Sequence, residues 1–228
     1  MIKNEKGVLV IFPHPDDEAF GVSGTISSYI NQGTPVTYAC LTLGEMGRNL
    51  GNPPFATRES LPEIRKRELE QAAEAMGLTD LRMMGYRDKT LEFEDEDKLK
   101  NLVTELLEEL SPSLVISFYP GFAVHPDHEA TARAVVRAIR EKNEEERPAL
   151  YALAFANDTE EKLGQPDIVH DIKEVQEQKL NALKAHDSQT SQLLHDLEEG
   201  VRTGNPEALK WVTREQFYTY KWEHDSVD

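Results

Sequence analysis

Residues 8–25 read VLVIFPHPDDEAFGVSGT, and the change of pattern inside this stretch decides the fold. VLVIF (8–12) is short, apolar and rich in β-branched residues, the pattern of a strand buried on both faces. From Glu18 to about residue 32 the apolar residues recur every three or four positions, which is the spacing of a helix. Working outward, the alternation repeats. VTYACLTL (36–43), LRMMGY (81–86), LVISFY (114–119) and ALYALAF (149–155) read as strands, and residues 62–76, 96–110 and 126–141 read as helices, the first stopped by Gly77. This order predicts an α/β, Rossmann-like fold with a mostly parallel sheet and helices on both faces. After residue 156 the pattern is less regular. DIVHDI (167–172) suggests an edge strand, and EVQEQKLNALKAH (174–186) and SQLLHDLEEGVRTG (191–204) suggest helices. QFYTYKW (216–222) suggests either a core anchor or a sugar-stacking surface. No linker interrupts the chain, so one domain over residues 1–228 is expected.

The 228 residues carry 25 Lys and Arg against 42 Asp and Glu, a formal charge of -17. Such a field repels nucleic acid and anionic bilayers, so neither is expected as a partner. No apolar run approaches the ~20 residues of a membrane span, and carboxylates interrupt the first apolar stretch before a signal sequence could form, so a cytoplasmic location is expected. Cys40 is the single cysteine and has no internal partner.

In a parallel sheet, ligands bind beyond the carboxyl ends of the strands. The loops expected there are PHPDDE (13–18), GEMGRNLGNPPFATR (44–58), YRDKT (86–90) and YPGFAVHPDHEAT (119–131), all rich in polar chemistry. His14 and Asp17 stand three residues apart where strand becomes helix, so one helical turn presents both to one point. His125 and His128 repeat that spacing around Asp127. Helix capping explains Asp16, Asp17 and Glu18 equally well in isolation. It does not call for histidine, nor for a second His-Pro-Asp after another strand. A His-His-Asp set with open positions suits a catalytic Zn²⁺, and imidazole with carboxylate also admits Fe²⁺. Of two adjacent carboxylates, one can ligate while the other takes a proton from water.

PHPDDE, LTLGEMG (41–47), EIRKRELEQAAEAMG (63–77), GYRD (85–88), HPDH (125–128) and KLNALKAHDSQ (179–189) together resemble the PIG-L/LmbE-type N-acetylglucosamine deacetylases, and within them the bacillithiol-pathway enzymes that act on N-acetylglucosaminyl-malate. The resemblance implies metal ligands His14, Asp17 and His128, a general base Asp16, and His125 as second catalytic group, with Asp127 orienting His125 and keeping it charged. It places Arg65, Asp88 and His186 at the substrate. Glu45 and Arg48 lie in a loop facing the same edge, where Arg48 or Arg87 suits a malate carboxylate. It further implies a small-molecule N-acetylglucosaminide substrate and a homo-oligomer, trimer or hexamer. Where some relatives carry a tyrosine this chain has Ala123, so a tyrosine contribution either comes from elsewhere, such as Tyr119, or is absent. The competing readings are a bacillithiol S-conjugate amidase and, from another class, a non-catalytic sugar- or nucleotide-binding protein; against the latter, no G-x-G-x-x-G follows the first strand. Arg65 also has an ordinary reading, pairing with Glu68 one turn along a charged helix.

Overall fold

A computed structural model describes residues 2–225 and 227 of the chain. Seven strands form one sheet: β1 (Val8–Phe12), β2 (Val36–Thr42), β3 (Asp80–Tyr86), β4 (Leu114–Phe118), β5 (Ala149–Leu153), β6 (Ile168–Asp171) and β7 (Arg214–Thr219), in the order β3-β2-β1-β4-β5-β7-β6. β3 to β5 in that order are parallel neighbours, and β7 runs antiparallel to both β5 and β6. The alternation of side chains explains why both faces must be covered. Val8, Val10 and Phe12 of β1 pack with Ile116 of β4 into one apolar cluster, while Leu9 and Ile11 pack with Val115 into another on the opposite face. Helices α2 (Ser23–Asn31), α3 (Leu61–Met76) and α7 (Gln176–Ala185) cover the first face, and α4 (Glu96–Leu110) and α5 (Pro126–Arg140) the second. α1 (Asp17–Gly21), α6 (Thr159–Leu163), α8 (Asp187–Thr203) and α9 (Pro206–Thr213) complete the helices. Among the described residues, no helix is long and apolar enough to cross a membrane.

Two of the chain's departures from the sequence reading are connected. The helix expected over 18–32 is broken at Val22 (φ -144°, ψ 3°), which separates α1 from α2. A break frees one carbonyl and the N–H groups that follow it, and buried backbone groups need partners. The buried Lys179 ammonium donates to the Phe20 carbonyl (3.0 Å), and the Glu215 carboxylate accepts from Gly24 N (3.0 Å) and Thr25 N (2.7 Å). Lys179 and Glu215 also pair with each other at 2.7 Å. Glu215 belongs to β7, which the sequence reading did not separate as a strand. QFYTYKW proves to be an anchor. Phe217 and Tyr218 are buried in the sheet, and Trp222 packs on Tyr220.

Candidate metal centre

β1 and β4 are adjacent at the point where strand order reverses, β2 and β3 lying to one side and β5 to the other. In such sheets ligands bind beyond the strand ends at the switch point, and the two His-Pro-Asp loops follow β1 and β4 there. His14 Nδ1 lies 3.1 Å from His128 Nε2, and Asp17 turns one oxygen to each ring, 3.5 Å from His14 Nδ1 and 3.3 Å from His128 Nε2. An ion held at ~2.1 Å by a tetrahedral shell has ligand atoms about 3.4 Å apart. Asp17 thus surrounds one point with the two rings only by turning both oxygens inward, whereas His14, His125 and His128 converge within 4.8 Å through one atom each; two nitrogens with a carboxylate fit the borderline-soft metals.

The remaining nitrogen of each ring is tied down. His14 Nε2 meets Asp88 Oδ1 at 3.2 Å and Asp127 Oδ2 at 3.3 Å, while His128 Nδ1 meets the Ala123 carbonyl at 3.2 Å. Each tie places the proton on the outer nitrogen and leaves the inner lone pair for a ligand bond. His128 is further fixed by stacking on Phe118, with ring centroids 4.1 Å apart. Burial lowers the His14 pKa, but the carboxylates of Asp127, Asp17 and Asp88 more than offset it, and the net shift is well upward. Burial pushes Asp17 up, yet His128 and His14 hold it far below the usual carboxylate range. The excess of carboxylates over imidazoles here favours a bound cation.

Asp16 behaves differently from its neighbour. Its carboxylate makes no helix-capping bond and instead accepts from Arg65 Nη2 at 3.0 Å. Burial raises its pKa to about 6 against the opposing pull of Arg65, the neighbouring Asp17 adding to the rise. A carboxyl poised there suits proton transfer near neutrality. Its backbone is left-handed (φ 112°), as are those of Val124 (φ 68°) and Lys89 (φ 62°). Of the four non-glycine residues with positive φ among those described, three therefore lie in the loops of this site; such strain of ~1–3 kcal/mol per residue persists where geometry is functional.

Several expected substrate residues stand behind the centre. Asp88 is buried, orienting His14 and accepting from Met46 N (2.8 Å), which removes it from direct substrate contact. Arg65 is also buried; it donates to the Pro15 and Gly44 carbonyls as well as to Asp16, and Glu68 turns instead to Ser188. Gly44 (φ 59°) is required beside it, because a Cβ would overlap the guanidinium. His186 is 0% exposed and bonded to Glu18, so it does not line the pocket. Asp127 is corrected too. Its carboxylate accepts from Lys89 N (2.7 Å) and Leu91 N (3.2 Å) and faces His14, not His125. His125 Nδ1 instead accepts from Asp127 N at 3.2 Å, capping α5, and burial beside the His14 and His128 rings lowers its pKa. That leaves Nε2–H as the outward donor. Tyr119 packs against Tyr220 on the sheet's other face and does not substitute for the missing tyrosine. Glu45 is half-buried with its Oε2 buried and unpartnered, and Arg48 and Arg87 are exposed. The sequence reading missed Glu18, which looked like a helix-start charge and is buried.

A doubly wound sheet whose switch point carries this donor set defines a class, and residues 9–139 match the family described as PIG-L, GlcNAc-PI de-N-acetylase. The chain belongs to that family. It is 52% identical over 222 residues to a probable N-acetyl-alpha-D-glucosaminyl L-malate deacetylase 2 of Bacillus anthracis, covering 97% of this chain and 98% of the relative. Among solved structures, the N,N'-diacetylchitobiose deacetylase of Pyrococcus horikoshii superposes with a TM-score of 0.72 at 25% identity, covering 95% of this chain and 84% of that one. The 4-carboxy-2-hydroxymuconate hydratase of Pseudomonas putida KT2440 has the same fold (TM-score 0.72, 21% identity, 95% and 96% covered). One fold thus carries different reactions, and the side chains must decide among them.

Proposed function

We propose that the chain is a metal-dependent N-deacetylase that hydrolyses the acetamide of N-acetyl-α-D-glucosaminyl L-malate to acetate and the free amine, with Zn²⁺ as its metal. The observation that carries the reading is the divergence of two adjacent carboxylates: Asp17 faces the two imidazoles while Asp16 is held apart by Arg65. His14, Asp17 and His128 are the ligands. When bound, the ion polarises the acetamide carbonyl and acidifies water. Asp16 accepts the proton as water adds to the carbonyl carbon, and His125 Nε2–H donates to the oxygen on which negative charge develops. The C–N bond then breaks, and Asp16 returns its proton to the leaving nitrogen. Arg65 keeps the Asp16 carboxylate in place throughout.

The exposed Arg48 and Arg87 supply local positive charge for the malate carboxylates within a protein of charge -17. The test is hydrolysis by metal-replete protein, read as acetate from the malate glycoside and from free N-acetylglucosamine and as glucosaminyl-malate from a bacillithiol S-conjugate, whose cysteinyl amide carries no acetyl group. The reading expects the highest kcat/KM for the malate glycoside. Absence of acetate release from any N-acetylglucosaminide overturns it.

A further inference from the structure

Behind Asp16 lies a chain of buried groups that the proposed chemistry does not use. The Glu18 carboxylate is wholly buried and fully engaged. Oε2 accepts from the Asp16 backbone N–H (3.1 Å) and the Tyr38 hydroxyl (3.1 Å), and Oε1 meets His186 Nε2 at 2.5 Å. These partners come from β2 and from the junction of α7 and α8, so the contact closes only when distant parts of the chain have docked. The same junction clamps the other side of the site. Ser188 donates from N (2.7 Å) and Oγ (2.6 Å) to Glu68, one turn along α3 from Arg65, and its carbonyl accepts from Leu50 N (2.7 Å).

We infer that Glu18, with Tyr38 and His186 behind it, is a positioning device for the base: it holds the Asp16 peptide in its left-handed conformation so that the Asp16 carboxylate stays apart from the ligand set. This inference rests on Asp16 acting as the base. A non-glycine residue at φ 112° reverts to a relaxed conformation unless its surroundings over-determine it. The charge-assisted bond from Asp16 N–H to Glu18 provides that restraint. The bond resembles the backward half of a capping box, a first-turn carboxylate accepting from the N–H of the residue before the helix, but Asp16 makes no reciprocal side-chain bond and its carboxylate is left to Arg65. His186 and Tyr38 in turn keep Glu18 from swinging away; if it did, His186 Nε2–H would be left unsatisfied and the Tyr38 hydroxyl would keep only the His14 carbonyl at 3.3 Å.

The experiment compares wild type with Glu18→Gln, His186→Ala, His186→Gln and Tyr38→Phe. Three readouts are taken: kcat and KM for acetate release, metal content per chain, and hydrogen–deuterium exchange of the peptide spanning residues 14–20 in metal-free protein. Expected for Glu18→Gln and His186→Ala is a fall in kcat of at least tenfold with KM within twofold and metal content unchanged. Exchange at residues 14–20 should rise at least tenfold, with partial rescue of both effects in His186→Gln, which retains an N–H donor. Tyr38→Phe removes one hydroxyl without changing the packing shape, and a smaller change in the same direction is expected of it if another variant does not fold. Unchanged exchange at residues 14–20, or a fall in kcat matched by loss of metal, overturns the inference. If wild type itself releases no acetate, the proposed function fails, while the exchange measurements still decide whether Glu18 restrains the Asp16 peptide.

Discussion

Replacing Asp127 by Asn separates two roles for this residue that the sequence alone cannot distinguish. The carboxylate is fully buried and accepts from Lys89 N at 2.7 Å and Leu91 N at 3.2 Å while facing His14 Nε2 at 3.3 Å. A carboxylate can serve three donors at once. An asparagine of the same shape has one acceptor oxygen, so its amide N–H₂ must face at least one of these donors. Lys89 N and His14 Nε2 share Oδ2 while Leu91 N uses Oδ1, so an asparagine with its oxygen in the Oδ2 place keeps Lys89 and His14 and sets its N–H₂ against Leu91 N. What the His14 side loses is the negative charge that raises the basicity of that ring. Mutation of such an outer-shell partner costs ~10–100-fold in metal affinity, equivalent to about 1.4–2.7 kcal/mol. Competition titration of Zn²⁺ against a chelator of known affinity measures this directly, with thermal unfolding of the metal-free variant as a control for the loop bonds. If the Asp127→Asn variant binds metal within twofold of wild type and loses only kcat, the carboxylate serves His125 after all and the geometric reasoning fails.

Other perturbations address the remaining parts. Asp16→Ala should retain metal and lose turnover by ~10²–10⁴-fold, whereas His14→Ala should lose the metal; equal metal loss in both, measured by elemental analysis, contradicts the division of labour. Lys179→Ala strands the Glu215 charge among buried groups and should cost ~3–5 kcal/mol in denaturant unfolding, with Glu215→Gln/Lys179→Met recovering part of it. Burial depresses the His170 pKa to about 4, below the ~6.5 of an unfolded chain. The unfolded state therefore binds the extra proton first. The stability His170 contributes is full above pH 6.5 and drains between 6.5 and 4, a loss of about 2 kcal/mol between pH 7.5 and 5. His170→Gln should unfold with a correspondingly flatter pH dependence over that interval, and an unchanged slope rules the effect out.

The centre of the fold was legible because its signals are local. VLVIF has no polar residue to place on a solvent face, and the loops that follow the first and fourth strands contain histidines that helix starts do not require. A His-His-Asp donor set follows from that spacing, and the choice of His14, Asp17 and His128 within it rests on the family resemblance. What the sequence hid was decided by distant partners. Val22 carries no helix-breaking signal of its own; the break is tolerated because Lys179 and Glu215 complete the freed backbone groups. Asp127 sits between two histidines and seemed assigned to the nearer ring, but the backbone of Lys89 and Leu91 turns it to His14. His186 looked like a pocket residue for the same reason that Glu18 looked like a surface charge: neither reveals that the other is its partner until α7 has packed against the first turn of the chain.

The placement of β7 has a consequence for the order of events during synthesis. Every proposed ligand, the base and His125 have left the ribosome once residue 128 emerges, yet the groups that set them in place arrive much later. The partner of Glu18 is residue 186, and the cap of α2 is residue 215, on a strand inserted between two earlier ones rather than added at the margin. A nascent or C-terminally truncated chain therefore carries all the reactive side chains without the means to arrange them. Activity is deferred until the last strand has threaded into the sheet, and removal of the terminal segment should inactivate a centre from which it is absent.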